Sequence, residues 1–235
     1  MSGPVGVGIP ARNEAATVAE VVRAARAALP RARVVVVDDA STDATARLAA
    51  EAGAEVIPHC CPLGYAESVA TILLWALRTD VDVLVLLDAD GQHDPRDAPR
   101  LVERLERSGA SVVIGSRPVG GRTLPRRVGN ELFSGLVRLL TGLAVTDTTS
   151  GFKAMARPVF RPLLESHFVD FHAESIVHLR TFGFRIEEVG VEMASRRAGR
   201  SMHGWAAPFV YPAKTALMVA LGLRQARRRA RKDTP

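Results

Sequence analysis

Asp88-Ala89-Asp90 ends a run of apolar residues, Val83–Leu87, and is followed by Gly91, Gln92 and Asp94. Side chains alternate along an extended chain, so Asp88 and Asp90 are expected on one side, one residue apart. Two carboxylates that close repel each other, and only a cation or a raised proton affinity relieves the repulsion. The ordinary alternative is a turn in which Asp and Gly do turn chemistry. Polar residues recur at three further places of the same kind. Arg12-Asn13-Glu14 follows Val5–Ile9, Asp38-Asp39 follows Val34–Val37, and Ser116-Arg117 follows Ser111–Ile114.

The elements that hold these groups read as alternating strands and helices. Strands are expected at Val5–Ile9, Val34–Val37, Glu55–Ile57, Val81–Leu87 and Ser111–Ile114. Helices are expected at Glu14–Leu29, from a Ser41 or Thr42 cap to Gly53, at Glu67–Arg78 and at Pro95–Ser108. β-branched runs of four or five residues without polar breaks suit strands buried on both faces. Strands alternating with helices of this length predict an α/β domain with a mainly parallel sheet. In such sheets ligands gather outside the carboxyl ends of the strands, where these four clusters fall. No glycine-rich phosphate loop follows the first strand. The second half is less regular, with helices expected at Pro125–Leu140 and His172–Phe182, an extended segment at Ser150–Ala156 and a strand at Arg185–Val191.

The 235-residue chain has a formal net charge of +6, yet the charge is localised. The last twelve residues, RQARRRARKDTP, hold five Arg, one Lys and one Asp, which leaves the body close to neutral. A basic groove for nucleic acid is therefore not expected. Cys60 and Cys61 are adjacent and form no ordinary disulfide. Met1–Ala11 lacks the charged start and apolar core of a secretory signal. A reducing, cytoplasmic setting is the expectation, and the preference for Arg over Lys suggests a bacterial genome of high G+C content.

Taken together, IPARNE at 9–14, VVVVDDAST at 34–42, LLDADGQHDP at 86–95 and GSR at 115–117 resemble family-two glycosyltransferases of the GT-A fold. LPRRVGN at 124–130, LTGLAVTDTTSGFKA at 140–154 and GFRIEEVGVEMASRRAGRS at 183–201 resemble the dolichyl-phosphate mannose synthase and polyprenyl-phosphate glycosyltransferase branch. The resemblance implies a GT-A, Rossmann-like sheet over 1–203, then an apolar helix at 204–223 and a basic tail at 224–235. It implies that Asp88, Asp90 and Gln92 bind Mg²⁺ or Mn²⁺, and that Pro10, Arg12, Glu14, Asp39 and Asp88 hold the nucleotide-sugar. Arg117, Arg126, Arg127, Arg196 and Ser201 are implied at the acceptor phosphate, with Asp90, Arg117 and Arg127 carrying catalysis. Two departures stand out: CCPLGYAES at 60–68 replaces a glycine-rich loop with a basic residue, and Met202-His203 follow Ser201 where Lys is common.

The chemistry agrees with this picture. A nucleoside diphosphate leaving group gains negative charge as the sugar–oxygen bond breaks, and a hard divalent cation with oxygen ligands neutralises it. A phosphate acceptor is already anionic at neutral pH and needs fixed cations, for which the planar fork of Arg is suited. A soluble hydroxyl acceptor, the alternative, needs a carboxylate base, and Asp147, Asp170 and Glu174 are the candidates. Asp147 and Thr148 have a plainer reading as holders of the turn before Ser150-Gly151. His93 and His203 read as packing or hydrogen-bonding groups. The remaining rivals are a nucleotidyltransferase of related architecture and a non-enzymatic module that binds through its basic tail.

Trp205–Leu223 is apolar but broken by Pro208 and Pro212. The dozen or so residues after Pro212 give a helix of roughly 18 Å, short of the ~30 Å of a bilayer core. An interfacial helix with a basic tail on an anionic, cytoplasmic leaflet is therefore expected.

Overall fold

The structure, a computed structural model, describes residues 3–116, Gly135, 150–166 and 173–192, with 173 and 174 described by backbone alone. Seven strands form one sheet: β1 (Val5–Ala11), β2 (Arg33–Asp38), β3 (Glu55–Pro58), β4 (Val83–Leu86), β5 (Val112–Ser116), β6 (Lys153–Ala156) and β7 (Ile186–Gly190). Their order across the sheet is β3-β2-β1-β4-β6-β5-β7. β1 is parallel to both β2 and β4, β2 to β3, and β5 to β7. The exception is β6, which runs antiparallel between β4 and β5. The sequence predicts a mainly parallel sheet and an extended segment at 150–156, but not its direction or its central position.

Helices α1 (Val18–Ala28), α2 (Thr45–Glu51), α3 (Tyr65–Arg78), α4 (Ala98–Ser108), α5 (Phe160–Glu165) and α6 (Ala173–Thr181) flank the sheet. One apolar core lies under α1, α2 and α4 and includes Val7, Ile9, Val34, Val85 and Leu101. The other lies under α3, α5 and α6 and includes Val35, Ile72, Leu86, Ile114 and Met155. Alternate strand residues thus serve opposite cores, which is why these strands read as continuous apolar runs.

α3 approaches β1 closely because β1 presents glycine to it. A β-carbon on Gly8 would overlap the Ile72 side chain, and one on Gly6 would press on Val81 and Trp75. The last turn of α3 is closed by a distant side chain. Arg157 donates from Nη1 to the carbonyls of Thr79 and Val81, at 3.0 and 2.6 Å, and from Nη2 to Leu77 at 3.0 Å. A cation there satisfies carbonyls that lack helical partners and complements the negative end of the helix.

Several expected boundaries shift, three of them for visible local reasons. The helix expected from Glu14 begins at Val18, because Glu14–Thr17 forms a separate turn in which the Thr17 amide donates to the Glu14 carbonyl. The helix expected from a Ser41 or Thr42 cap begins at Thr45, since both residues are bonded to the neighbouring loop instead. The first turn expected at Pro95 is a 3-10 turn, Pro95–Asp97, before α4. The short helical stretch Arg157–Glu165 is not anticipated by the sequence reading.

Candidate functional site

Because β1, β2, β4 and β5 all run the same way, their carboxyl ends share one edge of the sheet. At the β1 and β2 ends the two loops are bonded together. The Asn13 amide donates to Ser41 Oγ at 2.9 Å, and Asn13 Oδ1 accepts from the Thr42 amide at 2.8 Å. The Glu14 amide donates to Thr45 Oγ1 at 2.8 Å and the Ala15 amide to Asp43 Oδ2 at 3.2 Å. Asn13 and Ala40 both adopt positive φ, 54° and 52°. For Ala that conformation is strained by about 1–3 kcal/mol, and such strain concentrates at functional sites. Pro10 lies in the β1 ladder opposite Val37, Arg12 is exposed, and Glu14 accepts from Thr17 Oγ1 at 3.2 Å.

Asp38 and Asp39 are both buried, 5% and 4% exposed. Asp39 is densely bonded: Oδ1 accepts from the Leu63 amide at 2.7 Å and contacts His59 Nδ1 at 2.9 Å, and Oδ2 accepts from the Gly64 amide at 2.9 Å. His59 Nε2 in turn meets Thr71 Oγ1 at 3.0 Å. Burial raises the proton affinity of Asp39, but His59 and the two amides outweigh it and hold the carboxyl below the ordinary range. Asp39 therefore fastens the 59–64 loop, with Oδ2 keeping an acceptor direction to spare. Asp38 accepts from the Ser41 amide through Oδ2 at 3.3 Å, while its buried Oδ1 has no partner among the described residues.

Asp88 and Asp90 follow β4 in the middle of the edge. Asp88 accepts from Tyr65 Oη at 3.3 Å and faces His93 Nε2 at 3.5 Å, both long contacts. Its side chain is 29% exposed. Burial acts to raise its proton affinity, but His93, Tyr65 and the charge of Lys153 outweigh it, so the carboxyl is held below the ordinary range. Asp90 accepts from the Gln92 amide at 3.0 Å. His93 is buried, tilts against Phe152 at 5.3 Å between ring centroids, and leaves Nδ1 without a partner among the described residues. The packing and hydrogen-bonding role expected of His93 matches this placement. Gly151 lies against Asp88 so closely that a β-carbon there would stand 2.7 Å from Oδ1.

Two carboxylates within four residues of the end of β4, one of them loosely bonded and open to solvent, suit a hard divalent cation. No group of three His, Cys, Asp or Glu side chains is placed to hold an ion among the described residues, so remaining ligands would come from elsewhere, such as a diphosphate. Asp88 and Asp90 thus follow the same strand end, Asp90 buried in the turn beyond it, and Gln92 enters through its backbone amide on Asp90. Glu174 lies in the first turn of α6, but its side chain is outside the description, as are Arg117, Arg126, Arg127, Asp147, Asp170, Arg196, Ser201 and His203. The helices expected at Pro125–Leu140 and beyond Pro212 also fall outside the described residues, apart from Gly135.

The sequence reading misses Tyr65, His59, Gly151 and Lys153. The signal for Lys153 was present, a lysine within an extended apolar stretch. That for Tyr65 and His59 was not, since their roles depend on where α3 begins.

The family model of glycosyl transferase family 2 matches residues 6–164. An undecaprenyl-phosphate mannosyltransferase of Micrococcus luteus is 32% identical over 207 residues, covering 82% of this chain and 84% of that one. A polyprenol monophosphomannose synthase of Mycolicibacterium smegmatis is 30% identical over 208 residues, covering 82% and 78%. Among solved structures, glucosyl-3-phosphoglycerate synthase of Mycobacterium tuberculosis, with Mn²⁺, uridine-diphosphate-glucose and phosphoglyceric acid, superposes with a TM-score of 0.71. It has 22% identity and covers 93% of this chain and 80% of that one, a likeness that concerns the fold.

Proposed function

The chain belongs to glycosyl transferase family 2 and is a glycosyltransferase of GT-A fold, and from that premise we propose that it transfers a sugar from a nucleotide-sugar to a polyprenyl phosphate with inversion. The observation that carries the proposal is Asp88-Ala89-Asp90 at the carboxyl end of β4, with Asp88 held by long contacts and partly open. Asp88 and Asp90 would hold Mg²⁺ or Mn²⁺, which supplies positive charge to the departing diphosphate. The solved relative with Mn²⁺ and uridine-diphosphate-glucose supports that assignment.

In this reading the β1 and β2 ends receive the nucleoside: Pro10, Arg12 and Glu14 on one loop, Asp39 and the 59–64 loop on the other. Arg117, Arg126, Arg127, Arg196 and Ser201 gather the acceptor phosphate. An anionic phosphate oxygen attacks the anomeric carbon without a general base, opposite the departing diphosphate. The names of the two curated relatives support the lipid acceptor. Among the described residues no helix is long and apolar enough to cross a membrane. We assign the apolar segment 204–223 and the basic tail to the cytoplasmic surface of an anionic membrane, where such an acceptor is found.

A second reading, transfer to a soluble acceptor, is favoured by the solved relative bound to phosphoglyceric acid. One experiment separates the two. Purified protein is incubated with UDP- and GDP-sugars, Mn²⁺ or Mg²⁺, and either polyprenyl phosphate or 3-phosphoglycerate, and product is counted in organic and aqueous phases. Label in the organic phase, abolished by a chelator, is expected. Aqueous product alone would replace the lipid reading with the soluble one, and product undiminished by chelation would remove the metal.

A further inference from the structure

Among the described residues β6 is the one antiparallel strand, and its register places it against the proposed metal site. Leu86 pairs with Lys153 and Val85 with Ala154. Continued by two residues, that ladder sets Gly151 opposite Asp88. The three atoms nearest to a β-carbon on Gly151 all belong to the Asp88 carboxyl group and its oxygens. The backbone of Gly151 is not in the left-handed region, so its own conformation would accept alanine; the nearest obstacle is Asp88.

Two residues on, Lys153 shares that face of the strand. It is 1% exposed, and its ladder neighbours are Leu86 and Ile114. Met155, next on the same face, is part of the core under α3, α5 and α6. A buried ammonium is expensive unless it faces negative charge. On that face of the sheet the ladder sets Asp88 two residues beyond Leu86, the strand neighbour of Lys153.

We propose that β6 is the positioning strand for the metal-binding carboxylate: Gly151 leaves the space in which the Asp88 carboxylate lies, and Lys153 supplies buried positive charge on the same face. Both are positioning residues and neither touches substrate. Tyr65 and His93 reach Asp88 only at 3.3 and 3.5 Å, so shape and charge from β6 fix what those contacts leave loose. The proposal rests on the reading of Asp88 as a ligand in metal-dependent nucleotide binding.

The test measures binding rather than turnover. Full-length protein is titrated with UDP, GDP, ADP, TDP and CDP, with and without Mn²⁺, by calorimetry, and melted without ligand. The proteins are wild type, Gly151→Ala, Asp88→Ala and the double variant. Gly151→Ala should weaken the Mn²⁺-dependent binding by about 10- to 100-fold, the loss usual when a residue that orients a metal ligand is changed. In the Asp88→Ala background the same substitution should change neither melting nor binding further. Lys153→Met is melted alone and with Asp88→Asn. The double variant should melt above the single one, because removing the cation alone leaves a carboxylate uncompensated.

Wild-type affinity in Gly151→Ala, or an equal loss of melting temperature with and without Asp88, would overturn the role of Gly151. No recovery in the Lys153→Met, Asp88→Asn double would overturn that of Lys153. Absence of Mn²⁺-dependent binding of any of these nucleotides to wild type would instead remove the functional reading, and this proposal with it.

Discussion

Asp39 and Asp88 stand on either side of β1, at the ends of β2 and β4, and they are held in opposite ways. Asp39 takes two loop amides and an imidazole at 2.7 to 2.9 Å, and with them fixes the 59–64 loop. Asp88 has a phenol at 3.3 Å and an imidazole at 3.5 Å, and keeps solvent exposure. Burial opposes ionisation in both, and in both the neighbours prevail. One carboxylate has its partners within the chain; the other is bonded well enough to stay ionised and too loosely to be satisfied. The difference separates a carboxylate that builds a site from one that waits for a ligand.

The largest effect that would test this division falls on catalysis. Asp90→Ala should abolish sugar transfer and Mn²⁺-dependent nucleotide binding, while melting without ligand falls only modestly, because the Gln92 amide loses its acceptor. Full turnover of that variant in Mn²⁺ or Mg²⁺ would erase the contrast.

Asp39→Ala should do the reverse in stability. It leaves the Leu63 and Gly64 amides without their acceptor, and chemical denaturation should show a loss of about 1–3 kcal/mol. Nucleotide binding should weaken as the 59–64 loop loosens. A variant as stable as wild type would mean that the loop is held by something other than Asp39.

Acid should then act on both sites. Asp39 and Asp88 have folded values below the unfolded one, about 3.9, so their contribution is complete above that value and is lost as pH falls through the lower, folded values. Melting temperature should therefore drop steeply on the acid side of pH 4, and Asp39→Asn should shallow that drop. A slope identical in Asp39→Asn and wild type would place the acid sensitivity elsewhere.

The smallest effect on the edge of the sheet should come from the tail. Truncation after Leu223 removes five of the six net charges and should abolish binding to anionic vesicles while nucleotide affinity stays unchanged. Sedimentation with vesicles at low and high salt reads this directly, since screening shortens from about 10 Å at 0.1 M to about 3 Å at 1 M. Equal vesicle binding by both forms would detach the tail from the membrane.

Much of this arrangement is legible in the sequence because it is local. The apolar runs before Arg12, Asp38, Asp88 and Ser116 mark strands, and alternation with helices puts their ends on one edge. The direction of β6 is not local. Nothing in Ser150–Ala156 itself distinguishes a parallel from an antiparallel partner. The fastening of the 59–64 loop by Asp39 is equally hidden, because amide donors at Leu63 and Gly64 are backbone groups that any sequence carries. Ser41 and Thr42 mislead for a related reason. Both are good helix caps, but Asn13 competes for them across 28 and 29 residues.

The place of β6 between β4 and β5 also sets an order of assembly. Until residues 153–156 have left the ribosome, β3-β2-β1-β4 and β5 have no ladder between them, and β4 and β5 each present an open edge. A nascent chain that has reached Ser116 can form the β3-β2-β1-β4 half and its fastened loop, but Gly151 does not yet stand against Asp88. The long-range pairing that closes the sheet is slow to form and exposed to mispairing with other chains. Fragments ending before Ser150 are thus expected to aggregate through the β4 edge, and Asp88 gains its neighbour from β6 only when the sheet closes.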